Sequence, residues 1–299
     1  MIVFETEART KPYKSYRITT GRVRLNVLDW DSNSTEPPIL FLHAFTANGL
    51  ASLTFGKLLN GRRRLLAPDL RGRGRSDMPA GEYGLLTHLN DLIGLMDRLR
   101  LVRFVVLGHS FGATLSLFMA AKYPERVSGL ILVDGGALPG EEAQQSLAAY
   151  YGNLTYRYPS AEQYVSRFQA APLYQPWTPE LETLVRSNLR QQPDDTFIRN
   201  VPRYVVEADR RREDNAMWEQ LPSLYRDVRC PVLILRAGQG VIGKEDQVLP
   251  DPVISQMQAG MPAAKVVTIE SAGHTSVITI PSEERDQALS QFLGLNDER

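Results

Sequence analysis

Five residues constrain this chain more than any others: Gly108-His109-Ser110-Phe111-Gly112. The apolar run Phe104-Val105-Val106-Leu107 leads into them, and an amphipathic run from Ala113 to about Tyr123 leads out. A short, β-branched run bounded by glycine reads as a buried strand, and the following spacing reads as a helix. The chain must therefore turn abruptly between the two, with a serine at the corner. Small residues are needed on either side, because the serine backbone is held in a strained conformation and its neighbours pass very close. The pattern predicts a serine hydroxyl at the tip of a sheet. Behind it lies a helix N-terminus, whose free N–H groups favour developing negative charge.

Other strands follow from similar runs. Tyr16 to Leu28 alternates with period two around Thr20-Gly21, the signature of an antiparallel hairpin. Ile39-Leu40-Phe41-Leu42, Arg64-Leu65-Leu66-Ala67, Leu130-Ile131-Leu132-Val133, Val232-Leu233-Ile234-Leu235 and Lys265-Val266-Val267-Thr268-Ile269 read as further strands. Helical spacing is found at about Leu50–Leu59, at Leu85–Leu99, at about Pro252–Ala259 and at Pro281–Leu293. Strands alternating with helices imply a mostly parallel sheet covered on both faces. Residues 1–15 are polar and read as a loose arm.

Between Ala137 and Arg229 the pattern changes. No strand is evident there. Helical segments are expected at Gly140–Tyr151, Ala161–Ala170, Pro179–Arg190, Asp194–Asp209 and Asp214–Leu221, with many prolines and aromatics. The chain thus divides into a core, residues 1–136 and 230–299, and an inserted helical segment, 137–229.

Composition removes several classes of function. Lys and Arg together number 34 and Asp and Glu 34, so charge gives no case for nucleic acid or an acidic membrane surface as partner. Arg62-Arg63-Arg64 and the run Arg71 to Arg75 are locally basic and read as solvated loop arginines. The single Cys230 leaves no internal disulfide, and it reads as a small buried hydrophobe. No basic-then-apolar leader opens the sequence, and no apolar run approaches the roughly 18 residues of a membrane span. The expectation is a soluble, cytoplasmic protein. No metal or cofactor motif is seen. The loop Asp69 to Asp77 lacks the Gly-Lys-Ser/Thr of a phosphate cradle.

Taken together, Leu42-His43-Ala44-Phe45, Asp69 to Asp77, Gly108 to Gly112, Leu130 to Asp134 and Ala272-Gly273-His274 resemble the α/β-hydrolase superfamily. The resemblance spans nearly the whole chain outside 137–229 and rests on motif order more than on any one motif. It implies a mostly parallel eight-stranded sheet with helices on both faces, and a cap, or lid, made by residues 137–229. It also implies that Ser110 is the nucleophile and His274 its base, in the order serine, acid, histidine. The backbone N–H groups of Phe45 and Phe111 would form the oxyanion hole. Where the family often has His-Gly, this chain has His43-Ala44, which bears on that loop's geometry. His43 reads as a loop-ordering residue, His109 as structural, and His88 as a surface or partly buried polar residue of a helix.

Two aspartates compete for the acid. Asp246 has Pro250 four residues on, the family's usual pattern, and is favoured by it, although the loop from Arg236 to Glu245 is longer than that pattern expects. Asp134, at the end of the strand after the nucleophile, is where some capped relatives keep their acid. The implied activity is cleavage of an ester-like or other acyl bond of a small, largely apolar substrate through an acyl-enzyme. Hydrolysis of a carbon–carbon bond in a diketone-like substrate is an alternative on the same residues, as is a non-hydrolytic small-molecule receptor on the same fold. Aspartate-dependent epoxide and haloalkane chemistry is disfavoured by a serine at position 110.

Overall fold

The apolar runs become strands because, buried on both faces, they can satisfy their backbone groups only in a sheet ladder. A computed structural model of the chain describes residues 3–4, 11–210 and 218–295. In chain order the strands of the main sheet are β1 (Val3–Phe4), β2 (Lys14–Thr20), β3 (Val23–Trp30), β4 (Ile39–Leu42), β5 (Leu65–Pro68), β6 (Phe104–His109) and β7 (Val127–Val133). A small ribbon follows, β8 (Leu189–Gln191) with β9 (Phe197–Arg199), and then the main sheet resumes with β10 (Val232–Ala237) and β11 (Lys265–Ile269). The order across the sheet is β1-β2-β3-β5-β4-β6-β7-β10-β11, antiparallel through β1, β2, β3 and β5 and parallel from β5 onward. The eight expected strands are present, with the two-residue β1 as a ninth at the edge. β1 falls inside the segment expected to be a loose arm. Its backbone pairs Val3 with Arg17 and Phe4 with Tyr16.

Side-chain alternation sorts each parallel strand onto two cores. Leu40, Leu42, Val106, Leu130, Leu132 and Ile234 face one side, with α2 (Leu85–Arg98) and α3 (Phe111–Lys122). Ile39, Phe41, Val105, Leu107, Ile131 and Leu233 face the other, with α1 (Leu53–Leu59) and the helix Glu283–Leu293. Almost all are fully buried. Each contributes about 1.5–3 kcal/mol of transfer free energy to holding the layers together.

The connection after β4 runs to β5 on one side of it, and the next parallel strand, β6, lies on its other side. Such a reversal opens a crevice beyond the carboxyl ends of the strands. Ser110 follows β6 directly, at the mouth of this crevice.

The segment 137–229 is mainly helical: α4 (Glu141–Gly152), α5 (Ala161–Gln169), α6 (Pro179–Ser187) and α7 (Arg203–Asp209). The Ser160 and Thr178 side chains cap α5 and α6 by accepting from Gln163 N and Leu181 N. Tyr158, Tyr164, Val165, Leu181 and Val185 give it a small core of its own. Two expectations fail here. β8 and β9 form an antiparallel ribbon where no strand was expected, and the helix expected over Asp194–Asp209 begins only at Arg203. A turn accounts for both. Asp195 takes a positive φ of 60°, Gln192 N donates to Thr196 O at 2.7 Å, and Pro202 caps α7 instead of continuing a helix from upstream. Of the helix expected over Asp214–Leu221, residues 214–217 lie outside the described residues; a short helix covers Leu221–Leu224. Among the described residues no helix is long and apolar enough to cross a membrane.

Candidate active site

Ser110 is built into its position by backbone crowding. Its φ and ψ are 54° and −117°, a conformation that L residues adopt rarely and that persists only where the surroundings over-determine it. Its N–H donates to Val133 O at 3.0 Å, extending the β6–β7 ladder by one residue before α3 starts. A Cβ on Gly108 would lie 2.1 Å from Gly112 O, and one on Gly112 would lie 2.0 Å from Leu42 O. A Cβ on Gly135 would lie 2.6 Å from Ser110 O. These glycines are required by the close approach of backbone to backbone, where nothing can yield. Gly112→Ala is therefore expected to destabilise the fold by about 3 kcal/mol or more, beyond ordinary overpacking. Thermal denaturation checks this, and an unchanged melting temperature would contradict it.

His274 bridges two partners. Its Nε2 lies 3.0 Å from Ser110 Oγ and its Nδ1 lies 2.8 Å from Asp134 Oδ2. Asp134 sits at the end of β7, is fully buried and takes a positive φ of 42°. Its Oδ1 accepts from Ala237 N at 3.1 Å, which leaves Oδ2 for the imidazole. The His274 loop is held by backbone: His274 N donates to Gly240 O at 3.0 Å, and Gly273 N donates to Ser276 Oγ at 2.8 Å.

The spacing that favoured Asp246 thus corresponds to a different arrangement. Asp134, not Asp246, accepts from His274. The Asp246 carboxylate turns back on its own loop and accepts from Ile242 N at 3.0 Å and Gly243 N at 2.9 Å. Burial pushes its pKa up, but hydrogen bonds from Ser146 and from those two N–H groups outweigh it and hold the carboxyl below its ordinary range. The long loop these bonds close is the one that presents Gly240 O to His274.

Phe45 and Phe111 line the same cavity as Ser110, their rings edge to face at 4.7 Å. Phe111 is the first residue of α3, so its N–H has no intrahelical acceptor. The loop carrying Phe45 is pinned by His43. The buried ring places Nδ1 2.8 Å from Ala44 O and accepts from Leu70 N at 3.0 Å. Burial first, and then the nearby Arg73 and His88, bring its pKa down to about 3, so it stays neutral. Ala44 is not among the positive-φ residues, so alanine in place of glycine costs nothing there. His109 places Nε2 2.7 Å from His274 O, and burial drives its pKa well below the ordinary value.

Not all the arginines read as solvated are so. Arg63, Arg71 and Arg73 are buried. Arg71 makes a bidentate pair with Asp91, at 2.6 and 2.7 Å. Arg73 is completely enclosed and pairs at 2.6 Å with Asp209, which also meets His88 Nε2 at 3.0 Å; all three side chains are inaccessible. His88, expected at or near the surface, is fully buried. Burial would raise the Asp209 pKa, but His88 and Arg73 outweigh it and hold the carboxylate ionised. No local signal announces this cluster, because its members come from distant parts of the chain.

Ser110 opens onto a cavity of about 410 Å³ lined by Phe45, Phe111, Leu147, Tyr151, Trp218 and Val248 among others. A second space of about 90 Å³, reached past His274, is walled by Tyr150, Phe168, Tyr174, Leu184 and Val185. Both combine core residues with residues of the 137–229 segment. Arg210 and Glu219 add charges of opposite sign to the larger one. Among the described residues no group of three or more His, Cys, Asp or Glu could hold a metal ion.

The profile of a protein family described as the alpha/beta hydrolase fold matches residues 37–281. The chain is 28% identical over 283 residues to 2-(acetamidomethylene)succinate hydrolase of Mesorhizobium japonicum, covering 93% of this chain and 95% of that one. A shorter match, 38% identical over 95 residues, is to 2-hydroxy-6-oxo-2,4-heptadienoate hydrolase of Pseudomonas putida, covering 31% of this chain and 34% of that one. Among solved structures, the crystal structure of E-2-(acetamidomethylene)succinate hydrolase superposes with a TM-score of 0.79 at 24% identity, covering 94% of this chain and 99% of that one.

Proposed function

This chain belongs to the alpha/beta hydrolase family and is a hydrolase, and from that premise we propose that it is a serine hydrolase working through Ser110, His274 and Asp134. The observation that carries the reading is the imidazole of His274, placed between a serine hydroxyl and a buried carboxylate at hydrogen-bond distance from both. Ser110 Oγ attacks the substrate carbonyl while His274 Nε2 takes its proton. Asp134 holds the proton of Nδ1 in place and stabilises the imidazolium. The oxyanion is received by the N–H groups of Phe45 and Phe111, the second reinforced by the N-terminus of α3. His274 then returns the proton to the leaving group, and water releases the acyl group by the same steps in reverse.

Residues 137–229 act as the cap. They supply Leu147, Tyr150, Tyr151 and Trp218 to the walls, so the pocket is predominantly apolar. We assign it an acyl compound with an apolar body, cleaved at an ester-like or amide bond. The relative from Mesorhizobium japonicum supports an acyl target, since its named substrate carries an acetamido group. Hydrolysis of a carbon–carbon bond beside a ketone is the second reading, and the partial match to the heptadienoate hydrolase favours it. A panel of p-nitrophenyl esters of rising chain length, anilides, lactones and diketones, run in H2¹⁸O, tests the assignment. The expected result is ¹⁸O in one carboxylate product from an ester or amide. Turnover confined to diketones selects the second reading, and no turnover of any member together with an unreactive Ser110 counts against both.

A further inference from the structure

The cluster of Arg73, Asp209 and His88 is wholly buried, and it touches both Phe45 and Phe111. Arg73 Nε donates to Phe45 O at 3.0 Å, and Nη1 donates to Arg71 O at 3.0 Å and pairs with Asp209 Oδ2. The centre of the guanidinium lies 5.2 Å from the Phe45 ring and 5.9 Å from the Phe111 ring. His88 meets the Phe111 ring edge-on at 5.4 Å. Asp209 closes the arrangement by accepting from Gly84 N at 2.7 Å, where α2 begins. The other acids of this region are already engaged: Asp91 pairs with Arg71, and Asp69 accepts from Gly49 N, Arg75 N and Asn26 Nδ2.

We infer that Asp209, on α7 of the 137–229 segment, is a positioning residue for the oxyanion-binding backbone of Phe45 and Phe111, acting through Arg73. The inference rests on the reading of Ser110 as nucleophile. A buried guanidinium is tolerated only with a counter-charge, and the more so here because Arg73 Nη2 has no hydrogen-bond partner among the described residues. Asp209 provides that counter-charge from outside the core. With it, Arg73 is fixed in one rotamer and holds the Phe45 carbonyl and both rings. Without it, Arg73 draws toward water, and the Phe45 carbonyl, across the Cα from the Phe45 N–H, loses its brace. The arrangement around Arg73 is therefore complete only with Asp209 of α7 in place.

The effect belongs on kcat. Misplacing an oxyanion donor by about 1 Å costs on the order of 10²-fold in rate, because the lost interaction is made in the transition state. The test measures kcat per active site, with sites counted by mass spectrometry after fluorophosphonate labelling, so that misfolded protein does not enter the count. Asp209→Asn is expected to lower kcat per labelled site by about 10- to 100-fold with KM changed less than about threefold. It should also lower affinity for a boronic acid that mimics the tetrahedral adduct by a comparable factor. Arg73→Lys, which keeps a cation for Asp209 but removes the Nε donor, is expected to show the same split and serves if Asp209→Asn does not fold. Asp91→Asn breaks the neighbouring buried pair with Arg71 and should lower the melting temperature while leaving kcat per labelled site within about threefold. Wild-type kcat per labelled site in Asp209→Asn or in Arg73→Lys overturns the inference. If the wild-type enzyme takes no fluorophosphonate at Ser110, the reading beneath the inference fails instead, and the two failures are distinct.

Discussion

Ser110→Ala is expected to lower kcat on the order of 10⁵- to 10⁶-fold on any substrate the enzyme cleaves, with KM and melting temperature near wild type. The size follows from the chemistry. Without Oγ there is no acyl-enzyme, and His274 has no hydroxyl to deprotonate. What remains is the contribution of the oxyanion donors and of binding, so a residual rate above water should persist. The near-neutral stability follows from the geometry. Alanine removes the hydrogen bond between Ser110 Oγ and His274 Nε2, and at φ 54° it is no more strained than serine. The elbow is held by Gly108, Gly112 and Gly135, all of which remain. Steady-state kinetics and a melting curve on one preparation separate the two effects. A loss of less than about 100-fold would remove Ser110 from the chemistry.

Asp134→Asn is expected to cost about 10⁴-fold in kcat. Asparagine keeps the shape of the side chain, so the fold should survive. The loss comes from the tautomer. Ala237 N–H must still be accepted, and that keeps the amide oxygen at the Oδ1 position. The NH2 group then faces His274 Nδ1, which can accept it only by giving up its proton. The proton moves to Nε2, where it faces Ser110, and the base is lost. Asp246→Asn should differ sharply. Its carboxylate is engaged by Ile242 N and Gly243 N, contacts that an amide oxygen can largely keep. We expect turnover within about tenfold of wild type there, with a modest fall in stability from one weakened turn. If the two results were exchanged, Asp246 would be the acid and the geometry of the His274 loop would have to change on substrate binding.

The contrast between these aspartates shows where sequence reasoning reaches its limit. The elbow could be read from five residues because its constraint is local: strand, glycines and helix are contiguous. The parallel strands were equally readable, since four apolar residues in a row, as in Ile39–Leu42, leave few other places to go. The choice between Asp134 and Asp246 is not local. Both stand near the His274 loop, and what separates them is that Asp134 has one oxygen on Ala237 N and the other on His274, whereas both Asp246 oxygens are taken by the N–H groups of its own loop. The Asp246–Pro250 spacing records a turn and carries no information about that occupancy.

The 137–229 segment was harder to read for a related reason. β8 and β9 have three residues each, too few for a periodicity of two to stand out against the helical segments around them. Their pairing depends on the turn at Asp195. The pairing of Arg73 with Asp209 joins the loop after β5 to α7 of the 137–229 segment, and an arginine in a Gly-Arg run looks like any solvated loop residue until its partner is found. The walls of the cavity have the same origin. Leu147, Tyr151 and Trp218, from the 137–229 segment, line one cavity with Phe45 and Phe111, which are far from them in sequence.

The most direct test of the account is the site of fluorophosphonate labelling. Intact-mass and peptide-mapping spectrometry of the wild-type enzyme should show one adduct per chain, on Ser110, and none in Ser110→Ala. No adduct on the wild-type enzyme, or an adduct that persists at another residue in Ser110→Ala, would contradict it.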